Sequence, residues 1–272
     1  MARPEFHRSR VTGSPWPGVF STHIESGRHY GRHSHATYGF GLLEQGAQRS
    51  ASGRGMVDAY PGDIMTTNPG EVHDGRPLGA EWRGWRMVHL EPDALAALAG
   101  YSGDIALARP VFADPPLRHC LRQLLAALER WQGGAADTLA CEELLVRACG
   151  ELLARHATGA APRHDASADL AVVRERIGDD LVHAPSLAEL AALAGTSRFQ
   201  LLRRFAAAYG LTPYAWLVQH RAERARRLNA RGTALAEAAA AAGFADQSHM
   251  TRLFARQFGF TPGAWQRATR AQ

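Results

Sequence analysis

The chain has 272 residues, room for one large domain or two ordinary ones. A hydrophobic fraction of 46% and a charged fraction of 21% fit a globular protein and exclude a fibrous or wholly disordered one. No apolar run is long enough to span a bilayer, and the first residues, M-A-R-P-E-F-H-R-S-R, carry no apolar core, so neither a membrane span nor a secretion signal is expected. Three cysteines, Cys120, Cys141 and Cys149, leave one unpaired and lack metal-site spacing. They read as buried reduced thiols, and the expected location is the cytoplasm.

Residues 1–90 hold short apolar stretches broken by turn residues. T-Y-G-F-G-L-L-E-Q-G, R-G-M-V-D-A-Y-P-G-D-I-M-T-T-N-P-G and W-R-G-W-R-M-V-H-L read as short strands, so a small antiparallel barrel or sandwich is expected. The period then changes. Residues 93–98 suit one or two helical turns. Residues 115–131 and 135–156 place leucines at helical spacing, and the expected helical pair serves either as a dimer surface or as a lid over the barrel's own core. T-G-A-A-P-R-H-D-A-S-A, 158–168, is the linker candidate. A helix follows at 169–180. Ser186 with Glu189 three residues on forms a capping-box pattern, and Thr212-Pro213 opens a long helix through residue 229.

The C-terminal region repeats itself. Residues 187–216 carry L-A-E-L-A-A-L-A-G, S-R-F-Q-L-L-R-R-F and Y-G-L-T-P-Y-A-W; residues 235–265 carry L-A-E-A-A-A-A-A-G, D-Q-S-H-M-T-R-L-F and F-G-F-T-P-G-A-W. Each copy reads as a short helix, a glycine turn and a second helix, the helix-turn-helix pattern. Charge follows this division. From residue 170 onward there are 14 Arg against 7 acids, giving +7; residues 1–169 hold the other 17 Arg and 19 acids, giving −2, which together make the chain's +5. A basic domain beside a mildly acidic one fits a nucleic-acid binder joined to something else, and the helix-turn-helix pattern makes double-stranded DNA the expected partner.

In a helix-turn-helix the second helix enters the major groove. Leu201, Phe205 and Tyr209 in the first copy, and Met250, Phe254 and Phe258 in the second, recur at fourfold spacing and should face the core. The opposite face then carries Arg198, Phe199, Leu202 and Arg203, and in the second copy Gln247, Ser248, Thr251 and Arg252, with His249 near the edge. Arg pairs two donors with guanine, Gln pairs one donor and one acceptor with adenine, and apolar groups meet thymine methyls. Phe199 has a core reading as well. Arg204, Arg221, Arg224, Arg256 and Arg267 are candidates for phosphate contact; for Arg221, Arg224, Arg226 and Arg227 on the connecting helix the plainer reading is a solvated face, partly paired with Glu223.

These motifs, with R-A-E-R-A-R-R-L of the connecting helix and G-F-A-D-Q-S-H-M-T-R-L-F-A-R-Q-F-G-F-T-P of the second unit, resemble the DNA-binding domain of the AraC/XylS family of bacterial transcription regulators. The resemblance covers about a hundred residues. It implies two recognition helices on one face of the DNA, about a helical turn apart. It also implies a homodimer, contact with RNA polymerase and activation rather than repression. The implied base contacts are Phe199, Leu202, Arg203, Gln247, Ser248, His249 and Arg252. Leu202 departs from the polar residue many members place there.

Further upstream, Gly27, His33-Ser-His35, Gly39 and Gly46 follow the spacing of the first cupin motif, and Gly62-Asp63 with N-P-G-E-V-H, ending at His73, approximates the second. Residues 15–95 thus resemble the cupin-type effector-binding domain that precedes AraC-type domains. Alternate strand residues share a face, so His33 and His35 can point together, and His73 can join them. Three imidazoles would suit a divalent metal. Metal-binding cupins, however, carry a Glu where this chain has Gly39, and Glu44 is a poor substitute; hydrogen bonding inside a polar barrel is the plainer role for these histidines. For a small-molecule effector the lining candidates are His33, His35, Tyr38, His73, Trp82, Trp85 and Arg86, the last suited to a carboxylate.

The expected fold is therefore α+β multidomain. Residues 1–157 form a cupin-like barrel with a helical pair (barrel 15–95, helices 111–156), and residues 169–272 an all-α domain of two helix-turn-helix units joined by a long helix. The leading function is an effector-responsive, sequence-specific transcription regulator, not an enzyme. Two rivals differ in class: a cupin metalloenzyme, dioxygenase-like or an isomerase, fused to a DNA-binding domain, and an architectural protein that binds all DNA alike.

Overall fold

The structure, a computed structural model, describes residues 6–99, 105–133, 138–159, 168–196 and 198–269. In chain order its strands and helices are β1 (His7–Thr12), β2 (Val19–Ser26), β3 (Tyr30–His33), β4 (Tyr38–Gln45), β5 (Gln48–Ser52), β6 (Gly55–Ala59), β7 (Ile64–Thr67), β8 (His73–Pro77), β9 (Arg83–Leu90), α1 (Pro92–Ala99), β10 (Ile105–Leu107), β11 (Val111–Phe112), α2 (Pro115–Gln132), α3 (Thr138–His156), β12 (Ala157–Gly159), α4 (Ala168–Asp179), α5 (Leu187–Leu193), α6 (Arg198–Tyr209), α7 (Pro213–Ala230), α8 (Leu235–Ala241), α9 (Gln247–Phe258) and α10 (Pro262–Thr269). The chain divides into two compact units, the first made of residues 1–31, 35–161 and 267–272 and the second of residues 32–34 and 162–266.

The first unit is built on two sheets. One has the order β1-β2-β9-β4-β7-β11 and the other β3-β8-β5-β6, with a small β10-β12 ladder beside them. The central strand β9 pairs antiparallel with β2 and with β4; Trp85 faces Ile24 and Leu43 across the ladders, and His89 faces Phe20 and Gly39. Alternation along β9 gives this sheet two buried faces. Val88 and Leu90 point into a core shared with Phe40, Leu42 and the α2 and α3 residues Leu117, Leu121, Leu124, Leu145 and Leu152. Met87 points the other way, into a smaller core with Leu43, Ala59 and Met65, against which Trp85 packs.

Arg83 clips the two sheets together. Its side chain is 1% exposed. Nε donates to Gln48 Oε1 at 2.7 Å, Nη1 to the carbonyls of Ser26 and Arg28 at 3.0 and 2.9 Å, and Nη2 to the Gly75 carbonyl at 3.1 Å. Burial pulls this guanidinium down to about 10, so it stays charged at neutral pH. The Trp85 and Tyr30 rings lie 4.9 and 5.6 Å from its centre.

Helix α2 starts where Asp114 caps it, accepting from the Leu117 amide at 3.0 Å, with Pro115 supplying the fixed φ of a first turn. The other Asp114 oxygen lies 2.7 Å from His156 Nε2 at the end of α3, which ties the two helices together. All three cysteines are buried and reduced, and burial pushes the Cys149 thiol up to about 12. Residues 160–167 of the expected linker lie outside the described residues, and its first two, Thr158 and Gly159, close β12 instead.

The second unit is all helical, and its internal repeat is visible in the backbone. The aligned glycines Gly195 and Gly243, and Gly210 and Gly259, all sit at positive φ, between 59° and 84°, where side-chain-bearing residues are strained. Ser186 and Glu189 form the expected capping box on α5, and Thr212 caps α7. Leu201 and Phe205 are fully buried against Leu170, Val173, Ile177 and Leu190. In the second copy Met250 and Phe254 are fully buried, and Phe254, Phe258, Phe260 and Trp265 form a chain of ring contacts between 4.6 and 6.0 Å. Each such side chain contributes roughly 1.5–3 kcal/mol on burial.

Candidate nucleic-acid interface and barrel site

Helix α9 presents the clearer of two polar surfaces. Asp246 caps it, accepting from the His249 amide at 2.6 Å, which fixes the direction in which the first turn leaves the chain. Gln247, Ser248 and Arg252 are exposed and Thr251 is half-buried; Ser248 and Arg252 lie opposite Met250 and Phe254, whereas Gln247, three residues before Met250, is exposed in the first turn of the helix. His249 stands edge-on to Phe244, ring centroids 5.6 Å apart, and so is partly engaged in packing. On α6, Arg203 is exposed and Leu202 half-buried. The side chains of Arg198 and Phe199 lie outside the described residues.

The supporting arginines divide by surroundings. Arg224, Arg256 and Arg267 are exposed. Arg204 pairs with Asp169 at 2.7 Å. Arg221 does not suit the phosphate role expected of it: Nε donates to the Leu181 carbonyl at 2.7 Å and Nη2 to that of Val182 at 3.3 Å, so it staples the α4–α5 turn to α7. Arg226 does not belong to a solvated face either. It is 3% exposed, pairs with Glu223 at 2.7 Å, and its guanidinium lies 5.0 Å from the Trp265 ring centre. Arg227 is the exposed partner of that network, 3.4 Å from Glu223.

In the barrel, the imidazoles of His33, His35 and His73 meet: one ring nitrogen from each lies within 4.8 Å of the others. The rings of His35 and His73 are 5.3 Å apart. His73 Nδ1 lies 2.9 Å from the Glu71 carbonyl; an oxygen there accepts, so Nδ1 carries the proton and Nε2 the lone pair. Burial pushes the His73 pKa down, which keeps the ring neutral at physiological pH. The Glu71 carboxylate is held by Arg54, whose Nε is 2.7 Å from it, and its charge works against burial at His73.

Three expected lining residues are placed elsewhere. Tyr38 belongs to the helix-side core, with its hydroxyl donating to the Ile105 carbonyl at 2.6 Å. Arg86 follows Trp85 directly on β9 and therefore faces the opposite side; its Nε donates to Glu44 at 2.8 Å. Trp82 precedes the strand and packs edge-on against Phe6 at 5.6 Å. Trp85 does face inward.

His89, which the motif spacing did not single out, shares that inward face. Its ring stacks on Phe20 at 4.6 Å, lies 6.3 Å from His35, and has Nε2 3.1 Å from Thr22 Oγ1. A period of two counted back along β9 from His89 through Met87, Trp85 and Arg83 would have found it. Gly39 lies opposite His89. A Cβ there would fall 2.5 Å from Thr67 Oγ1 and 3.6 Å from His89 Nδ1, so the position leaves no room for a side chain unless Thr67 moves.

Comparison with known proteins divides the chain in the same way. Residues 190–268 match the family described as a helix-turn-helix domain, and residues 19–148 match the AraC-like ligand binding domain. The chain is 29% identical over 238 residues to the uncharacterized HTH-type transcriptional regulator YbfI of Bacillus subtilis, covering 84% of this chain and 86% of that one. Two solved structures of ToxT from Vibrio cholerae share the fold over nearly the whole chain. One, bound to an unsaturated fatty acid, has a TM-score of 0.51 at 12% identity and covers 97% of both chains. The other, from strain O395, has a TM-score of 0.50 at 10% identity and covers 98% of this chain and 99% of that one.

Proposed function

We propose, for a chain that belongs to the AraC/XylS family of DNA-binding transcription regulators, that α6 and α9 read two neighbouring major-groove segments and that the barrel senses a small organic effector. The observation that carries this is the pair of glycine-bounded helix-turn-helix units, with Arg203 on α6 and Ser248 and Arg252 on α9 exposed opposite their cores and Gln247 exposed in the first turn of α9. Arg252 and Arg203 supply two donors for guanine, Gln247 an amide donor for adenine N7 and a carbonyl acceptor for its N6 amine, and Leu202 and Thr251 apolar contact for thymine methyls. Arg198 and Phe199 belong to the first readout by their positions in the repeat. Arg224, Arg256 and Arg267 lie over phosphates and add affinity without sequence choice.

The effector lies among the inward-facing side chains of the barrel: His35 and His73, with Trp85 and His89. The likeness in fold to a protein described as bound to an unsaturated fatty acid favours an organic effector. In this reading the barrel binds without turning over its ligand. Residues 1–157 form the sensing part, 158–168 the linker and 169–272 the DNA-reading part. The regulator works in the cytoplasm as a homodimer in contact with RNA polymerase, and effector binding shifts an equilibrium between two states of unequal DNA affinity.

Selection of fragmented genomic DNA by the purified protein at near-physiological salt, followed by sequencing, tests this directly. The reading predicts enrichment of a two-part motif with elements about ten base pairs apart. Uniform, salt-sensitive retention of all fragments, with and without cell extract as a source of effector, would contradict it.

A further inference from the structure

The turn between β7 and β8, N-P-G-E at residues 68–71, is bonded to two different parts of the first unit. On one side it meets the barrel histidines. The Gly70 amide donates to the His35 carbonyl at 2.7 Å, and His73 Nδ1 donates to the Glu71 carbonyl at 2.9 Å. On the other side it grips β10. Asn68 Oδ1 accepts from the Leu107 amide at 2.8 Å, and Asn68 Nδ2 donates to the Leu107 carbonyl at 3.1 Å. Arg54 Nη1 donates to the same carbonyl at 2.8 Å. The Glu71 carboxylate aligns both donors: it accepts from Arg54 Nε at 2.7 Å and from the backbone and side-chain nitrogens of Asn68 at 3.1 and 3.2 Å. Burial works to raise the Glu71 pKa, but Arg54 holds it below the ordinary carboxylate range, so the carboxylate stays charged.

Both backbone groups of Leu107 are thus satisfied by side chains, in a residue that is 1% exposed. Water cannot replace those partners there, and an orphaned buried amide or carbonyl is costly. Leu107 lies opposite Ala157 in the β10–β12 ladder, and the next amide, Ala108, donates to the His156 carbonyl at 2.9 Å. In chain order β12 is the last strand before residues 160–167 and the helical unit. A shift of the turn must therefore either move β10 with it or break three bonds to Leu107 together. Bonds made and lost as a set are what a two-state element requires. We propose that the 68–71 turn is the relay of the sensor: a ligand beside His73 displaces the turn, and Asn68 and Arg54 pass that displacement to β10 and β12. This rests on the reading that the barrel holds the effector, and it names how occupancy leaves the barrel.

The test follows amide hydrogen exchange by mass spectrometry in the full-length protein. His73→Phe stands in for a disturbance at the histidines, because it keeps a ring and removes the Nδ1 donor. Exchange in residues 105–108 and 157–159 should rise about tenfold, the change in opening equilibrium expected on losing one buried hydrogen bond. Asn68→Ala should give at least the same rise, and the double variant no more than Asn68→Ala alone, since both break one relay. His73→Asn, whose amide can take the place of Nδ1–H, should exchange as the parent does. If His73→Phe fails to fold by circular dichroism, His73→Ala takes its place. Parental exchange at residues 157–159 in the residue-73 variant would overturn the relay. So would effects that multiply in the double variant, or a rise shared equally by β2 and β9. This measurement needs no effector. The change in affinity for selected DNA on adding deproteinised cell extract decides the sensor reading, so the two fail separately.

Discussion

At the scale of single residues, two arginines illustrate how the same side chain takes opposite roles. Arg252 is exposed on α9, where its planar fork can engage a base edge. Arg252→Ala should cost about 1–3 kcal/mol on a specific site and relax preference at one base position. Fluorescence anisotropy against a panel of single-base variants measures both, and an unchanged panel would remove Arg252 from the readout. Arg83, by contrast, is a buried hub for four neutral acceptors on different segments. Removing it leaves those acceptors unsatisfied, at about 1–3 kcal/mol each where water cannot enter. Arg83→Met is therefore expected to lower unfolding free energy by at least about 3 kcal/mol in urea titration. A loss under about 1 kcal/mol would mean that the clip is dispensable.

At the scale of elements, α7 depends on a buried ion network. Burial works to raise the Glu223 pKa, but the charge and hydrogen bonds of Arg226, with Arg227 beside them, hold it below the ordinary carboxylate range. Unfolded, Glu223 takes up its proton at higher pH than it does folded. Its contribution is thus complete above about pH 4.3 and is lost as pH falls through that value and then through the folded one. Glu223→Gln should flatten this part of the acid-unfolding profile, and at neutral pH it should cost about 3–5 kcal/mol by stranding the Arg226 charge. An acid profile identical to that of the parent would contradict the assignment.

The legibility of the sequence also differed by element. Helices of the second unit each bury one face, so the fourfold spacing of Leu201 and Phe205, and of Met250 and Phe254, marked the core directly, and local capping at Ser186, Thr212 and Asp246 marked where helices begin. Strand β9 is covered on both faces, by helices on one side and the second sheet on the other. Its sequence R-G-W-R-M-V-H-L therefore shows no polar–apolar alternation, and Arg86 was taken for a lining residue when Arg83, Trp85 and His89 hold that face. The His33, His35 and His73 grouping was readable because motif spacing carried it. His89 is reached by counting in twos along β9, but the commitment of Arg221 and Arg226 to internal partners depends on tertiary placement that no local pattern records.

At the scale of the whole molecule, sensing and reading are assigned to separate units, which makes their coupling testable by dissection. Residues 166–272 alone should bind the selected DNA with reduced affinity and without any response to effector-containing extract; a response in that fragment would move the sensor out of the barrel. The central claim is that two recognition helices on one rigid frame read one face of the duplex. The most direct measurement is binding to a selected two-part site before and after insertion of about five base pairs, half a helical turn, between its elements. The account predicts that affinity falls to that of a single element and recovers in part when a full turn is inserted. Affinity indifferent to the inserted half-turn would contradict it.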